Sequence, residues 1–277
     1  MSVVAFWSNG KEESAKTLSM VAISTYMAIK HNYRILTVST RYNDDTLESC
    51  YWKKAQTTEN FLSKRNDFGI ESGIEGLAKA LKSNRATPEI ITNYTKVVFK
   101  DRLEILLPPK TNSYEEYERF FPIYGDLLQV ANRYYDLVFV DLNKGLDKKY
   151  IVDILNDVDL ILINFTQKIK SINEVMALRE NNPLFQKGNT LLLLGRYDKF
   201  SKFTSKNIAR YMGIRNEICT IPYSTLFFDA TNDATVDEFF WRFRNINPTD
   251  RNAIFIKEVD NTTESIIAKL QELQMRR

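Results

Sequence analysis

Lys16 and Thr17 are the pair whose types and spacing could do chemistry. They close the run Gly10-Lys11-Glu12-Glu13-Ser14-Ala15-Lys16-Thr17-Leu18, which follows the apolar stretch Val3-Val4-Ala5-Phe6-Trp7. A lysine brings mobile positive charge to a phosphate, a hydroxyl offers a hard oxygen to Mg²⁺, and a turn opening a helix presents backbone N–H groups. The usual spelling of such a phosphate-binding loop is Gly, four residues, Gly-Lys-Ser/Thr. Here Gly10, Lys16 and Thr17 hold their places, but the second glycine has become Ala15. Glycine there lets the backbone take positive φ and come close to phosphate, so Ala15 implies strain or a changed loop shape. Glu12 and Glu13 lie where a polyphosphate would pass and would repel it unless their side chains turn away. Far downstream, Leu137-Val138-Phe139-Val140 delivers Asp141 at the end of an apolar run. An aspartate at the C-terminal end of a strand is how phosphate-loop proteins hold the magnesium shell. Thr17 and Asp141 are therefore the candidate metal ligands, and Lys16 and Asp141 candidate catalytic groups.

These residues need elements to position them. Residues 3–7 are apolar without alternation, the pattern of a strand buried on both faces of a parallel sheet. Residues 16–30 read as a helix, with Leu18, Val21, Ala22, Thr25 and Ile29 on one face. Further strands are expected at 34–40, 102–107, 135–141, 157–164, 190–194 and 217–221, the last ending at Pro222. Helices are expected at 73–81, from Thr87-Pro88-Glu89, over 113–134, and at 171–180, 204–212, 237–244 and 262–277. Gly195-Arg196-Tyr197-Asp198 reads as the segment leaving a strand. Strands alternating with helices predict one α/β domain spanning 1–277, a mostly parallel twisted sheet with helices on both faces. Residues 246–277 form a C-terminal helical extension. The aromatics of 113–134 and the cluster Phe239-Phe240-Trp241-Arg242-Phe243 read as packing surface.

Composition excludes several classes. The chain has 277 residues, 44% of them hydrophobic, and a net charge of +3, too small to imply nucleic-acid binding without a local cluster. Its two cysteines, Cys50 and Cys219, lie far apart and read as buried apolar residues or free thiols. His31 is the single histidine and has no Cys/His companions, which argues against zinc. No signal peptide precedes Val3 and no apolar run approaches the roughly 18 residues of a membrane span, so a soluble, cytoplasmic protein is expected.

Taken in order, these pieces resemble the ParA/MinD family of deviant Walker A ATPases. That family carries a signature lysine five residues before the Walker lysine, the spacing of Lys11 and Lys16. Its Walker B strand resembles Val138-Phe139-Val140-Asp141, followed here by Gly145. Its later strands resemble 159–164, 191–198 and Thr220-Ile221-Pro222, the last near the base. The resemblance implies ATP and Mg²⁺ as cofactors and an ATP-sandwich homodimer in which Lys11, the third candidate catalytic group beside Lys16 and Asp141, reaches the partner's nucleotide. Lys16 would meet the β/γ-phosphates and Thr17 the magnesium. By the same correspondence Gly10 to Leu18, with Arg196 and Pro222, would form the nucleotide-binding set.

The departures from the family's pattern matter equally. Its second strand ends in a carboxylate that orients water and the magnesium shell, whereas this chain reads Ser39-Thr40-Arg41-Tyr42, leaving Asp44 or Asp45 to substitute only if the loop folds back. The adenine-binding Asn is matched by Gly195. Slow or absent hydrolysis is expected, with binding the more secure property. Glycine-poor loops that keep both lysines resemble the TadZ/CpaE branch, which positions Tad-type pilus machinery at a cell pole. A plasmid or conjugative-element partition ATPase fits nearly as well, and a non-catalytic scaffold is the reading of another class. The iron-protein branch lacks its cluster cysteines here. Nonspecific DNA binding by the dimer stays open. Ile266, Ile267, Leu270 and Leu273 share a face that either packs on the domain or touches membrane; Glu264 and Glu272 dilute the charge that anionic lipid needs, which favours packing.

Overall fold

The computed structural model describes residues 1–10, 13–53, 73–82, 87–215 and 218–276. The apolar run after Met1 forms β1 (Ser2–Trp7), buried along its whole length. Its side chains alternate between two layers: Val3, Ala5 and Trp7 enter one core, Val4 and Phe6 the other. A strand buried on both faces must be apolar at every position, which is why it reads as an unbroken run.

α1 (Lys16–Lys30) leads to β2 (Ile35–Ser39) and the short α2 (Thr46–Ser49). α3 (Gly73–Lys82), a 3₁₀ turn at Pro88–Asn93, β3 (Lys96–Phe99) and β4 (Leu103–Leu106) follow. α4 (Tyr114–Glu118), α5 (Ile123–Ala131), β5 (Leu137–Asp141), α6 (Lys149–Asp157) and β6 (Leu160–Phe165) make the middle of the chain. The remainder is α7 (Ile169–Asn181), β7 (Thr190–Tyr197), α8 (Ser205–Tyr211), β8 (Cys219–Pro222), α9 (Thr225–Asp233), α10 (Val236–Phe243) and α11 (Ala253–Met275).

Among the described residues eight strands form one sheet in the order β3-β4-β2-β5-β1-β6-β7-β8, parallel except for β3. One core lies between the sheet and α3, α5, α6, α7 and α8; the other lies beneath α1, α9, α10 and α11. The mostly parallel, doubly covered sheet is thus as expected. β1 sits between β5 and β6, paired to both. The chain leaves β1 toward β2 on one side and returns through β5 to β6 on the other. A crevice opens at such a point beyond the strands' C-terminal ends.

Several boundaries differ from the sequence reading. The helical stretch at 113–134 is two helices, because Pro122 lacks an N–H and serves as the cap of a new helix rather than the middle of an old one. β3 is an antiparallel edge strand with an irregular register between Val97 and Phe99; Lys96 and Val97 are exposed. α6 and α9 lie where no helix was expected, and β7 runs on through Gly195 and Arg196 to Tyr197. α11 begins at Ala253 rather than Thr262, and Phe255, Val259, Ile266 and Leu270 are buried in the core it shares with α1. The packed alternative for that face is the observed one. Among the described residues no helix is long and apolar enough to cross a membrane. Cys50 and Cys219 are buried and not joined in a disulfide, and burial pushes the Cys50 thiol up to about 12.

Candidate functional site

The loop between β1 and α1 ends at Ala15, whose backbone is left-handed at φ 52° and ψ 33°. Its carbonyl still accepts the Ser19 N–H at 2.8 Å, so the helix starts normally behind a strained residue. Lys16 and Thr17 are the first two residues of α1, both buried. Parallel pairing of β1 with β5 sets Phe6 opposite Asp141, so the loop leaves its strand beside the aspartate.

Asp141 is fully buried and gathers both residues. Lys16 Nζ meets Asp141 Oδ1 at 2.5 Å as an ion pair without the alignment of a hydrogen bond, and it also donates to the Leu142 carbonyl. The Thr17 hydroxyl donates to Asp141 Oδ2 at 2.6 Å. Burial holds Lys16 below the ordinary lysine value, and the charge of Asp141 pulls against that.

The same hydroxyl accepts from Arg41 Nη1 at 2.9 Å. Arg41 follows the end of β2, where the sequence reading found no carboxylate. Asp44 does fold back to this place, but its Oδ2 pairs with Arg41 Nη2 at 2.7 Å. Asp45 instead borders a neighbouring hollow at the start of α2.

A cavity of about 580 Å³ opens over this cluster. Among the described residues its wall carries Lys16, Arg41, Lys144, Lys148 and Arg196 against Glu13, Asp44 and Asp147, a surplus of positive charge facing the void. Ser8 lies on the same wall, 2% exposed, and its hydroxyl has no partner. A built cavity with one buried lysine, further cations on its wall and an orphaned polar atom is suited to an anion. A larger hollow, about 760 Å³, lies between α5 and α6 beside Val3; its lining is mostly apolar and at the opposite end of β1 from the loop. The buried Lys16–Asp141 pair and the surplus of cations border the smaller one.

Of the nucleotide-binding set read from the sequence, Glu13, Ser14, Ala15, Lys16, Thr17, Leu18 and Arg196 line this cavity. Pro222 lines an adjoining crevice that shares Ala15, Leu18 and Arg196 with it. Gly10 opens the loop and lies outside both walls, while Lys11 and Glu12 fall outside the described residues. Glu13 turns outward: it is 78% exposed, with Oε2 at 3.6 Å from Arg196 Nη2. Its charge therefore stands in water at the cavity's rim, beside a guanidinium, rather than deep in the void. Gly195 does not present a side chain to a base; a Cβ there would overlap the Ser14 carbonyl oxygen, so β7 can pass the loop only with glycine.

Arg41, Ser8, Lys144 and Lys148 were not among the site residues read from the sequence. The available signal for Arg41 was a cation standing at a strand end where a carboxylate was looked for. Ser8 carried a weaker signal, as the first polar residue after an apolar strand that runs into a phosphate-type loop.

No family model matches the sequence, and no curated protein matches it either. Solved structures do match in fold. A ParA family ATPase from Chlorobium tepidum superposes with a TM-score of 0.69 at 16% identity, over 95% of this chain and 98% of that one. The septum site-determining protein MinD of Pyrococcus horikoshii, complexed with Mg-ADP, gives 0.62 at 14% identity, over 97% and 98%. A candidate plasmid partition protein of Borrelia burgdorferi, bound to AMPPNP, gives 0.56 at 16% identity, over 99% and 98%. The chain has the fold of the ParA/MinD ATPases along nearly its whole length.

Proposed function

We propose that the chain is an ATP-binding switch protein of the ParA/MinD type, with the cavity over Asp141 as its nucleotide site. The observation that carries this reading is the buried cluster in which Lys16 and Thr17, at the start of a fifteen-residue helix, meet one carboxylate beneath a cationic void. A helix N-terminus, a lysine and a glycine-poor but strained loop are complementary to polyphosphate. The void lies within the range of about 300–1,000 Å³ common for small-molecule sites. The unpartnered Ser8 hydroxyl and the outward turn of Glu13 fit an anion in the same space. Thr17 and Asp141 are hard oxygen donors of the kind Mg²⁺ takes, and they would hold it once Arg41 gives up its contact with Thr17. Bound there, the metal would supply charge neutralisation at the phosphates.

Turnover is the weaker half of the activity. Arg41 stands at the end of β2 in place of a water-orienting carboxylate, and Asp44 is engaged by it. This supports slow or absent hydrolysis and gives weight to the second reading, a scaffold that binds nucleotide without a cycle. As a switch, the protein dimerises on ATP and positions a partner assembly, of the Tad pilus or secretion kind or of a plasmid partition system.

Equilibrium dialysis with labelled ATP tests the site. The wild type retains ATP and Lys16→Ala does not. Removing Lys16 also strands a buried carboxylate, which costs about 3–5 kcal/mol when one partner of such a pair is lost. Thr17→Ala, which removes no charge, is therefore dialysed alongside it and is expected to bind weakly. Failure of the wild type to retain ATP would sink the reading. Phosphate release that is equal in wild type and Lys16→Ala separates the scaffold from the switch.

A further inference from the structure

The Thr17 hydroxyl has two protein partners: it donates to Asp141 and accepts from Arg41. The oxygen that would ligate a divalent cation is thus already in contact with a cation of the chain itself. Arg41 is two-thirds buried, held from the other side by Asp44, and borders the cavity. Its guanidinium offers five donors, of which these two contacts use two. Its planar fork suits the bidentate grip of a phosphate. Lys16, at 2.5 Å from Asp141 Oδ1, brings a second fixed positive charge to the other carboxylate oxygen. The site therefore sets two cations beside one buried carboxylate, Lys16 against Asp141 Oδ1 and Arg41 against the Thr17 hydroxyl that donates to Oδ2.

We propose that Arg41 takes the metal's place at this site, so that the cavity binds a nucleoside polyphosphate in the absence of any divalent cation. The inference rests on the nucleotide reading of the cavity and adds to it. Phosphate charge that a hydrated ion would otherwise neutralise is met by the guanidinium, which is two-thirds buried and borders the same cavity. Mg²⁺ then has to displace Arg41 from Thr17, and it adds little affinity.

Isothermal titration of the full chain with ATP, once in Mg²⁺ and once in excess EDTA, tests this directly. The wild type is expected to give the same Kd in both. Arg41→Gln removes the charge and keeps a polar side chain; in EDTA it should lose about tenfold or more in affinity, the size of one or two charge-assisted hydrogen bonds, and regain much of it in Mg²⁺. Arg41→Lys is titrated in parallel, and circular dichroism checks that both variants are folded. Wild type that binds ATP in Mg²⁺ but not in EDTA overturns the proposal, and so does a folded Arg41→Gln with unchanged affinity in EDTA. The wild-type comparison stands whether or not the variants fold. Absence of binding in both buffers overturns the nucleotide reading itself, so the two failures are distinct.

Discussion

Ala15 holds φ 52° and ψ 33°, a left-handed backbone that costs an L-residue roughly 1–2 kcal/mol. The loop shape that glycine usually provides is thus kept, against strain, by the structure around it. Part of that structure is Gly195, which lies against the Ser14 carbonyl just before Ala15. In Gly195→Ala the new methyl meets backbone, which cannot rotate away, so either β7 or the loop must move. Overpacking of this kind costs about 1–3 kcal/mol. If the loop absorbs the shift, ATP affinity falls by about tenfold or more, since each 1.4 kcal/mol is one decade. Dialysis beside a thermal melt checks it: unchanged affinity at lowered stability would show that β7 moves instead and that Gly195 does not set the loop. The strain at Ala15 was legible in the sequence, because the motif names the place where glycine is wanted. The role of Gly195 was not, because it depends on two strands far apart in sequence passing each other closely at that one residue.

Elements buried on one side or both were readable, and the misread ones are those whose environment is mixed. β1 and β5 are apolar along nearly their whole length because both faces are covered, and they fell where expected. β3 is four residues on the edge with two of them exposed; Val97, Val98 and Phe99 are β-type, but the run is too short and too exposed to stand out from the turns around it. α6 buries only Tyr150, Ile151, Ile154 and Leu155, a stripe preceded by a lysine-rich turn that concealed its start. α11 shows the opposite case. Its second half was recognised from Ile266, Ile267, Leu270 and Leu273, but whether that face meets lipid or protein is a tertiary question. The structure places Ile266 and Leu270 in the core with α1, while Lys30 at the end of α1 pairs with Asp260 and with Glu264 at 2.7 Å. Those surface pairs contribute little, and the stability comes from the buried face. Ile266→Ala is therefore expected to lower unfolding free energy by about 2–5 kcal/mol, read as a drop in the urea midpoint. A loss under about 0.5 kcal/mol, the size of an ordinary surface change, would mean that the helix is not docked in solution and would return the membrane reading to contention.

At the scale of the molecule, the sheet order puts every charged group of the site at one end of β1, β2 and β5, and that end is open. Arg196 and Glu13 at its rim are 47% and 78% exposed. Beside them, in the adjoining crevice, Tyr223 and Phe228 are 57% and 39% exposed with ring centroids 6.4 Å apart. Paired aromatics in contact with water next to a ligand cavity are the kind of surface that a binding event covers. On the proposed switch reading the partner would be a second copy of this chain, since a bound polyphosphate would leave its outer face to a cation from outside, the role that the resemblance gives to Lys11. Lys11 itself lies outside the described residues. ATP is thus expected to double the mass of the protein in light scattering coupled to gel filtration. Lys11→Ala should bind ATP in dialysis yet stay monomeric, because a residue that reaches across acts on the partner's nucleotide and not its own. Phe228→Glu should behave alike, by placing charge in the covered rim. If the wild type stays monomeric at saturating ATP, the switch does not work by association, and the nucleotide acts within one chain. If Lys11→Ala loses ATP as well as dimerisation, Lys11 serves its own site, and the cation that reaches across must be sought among Arg196 and its neighbours.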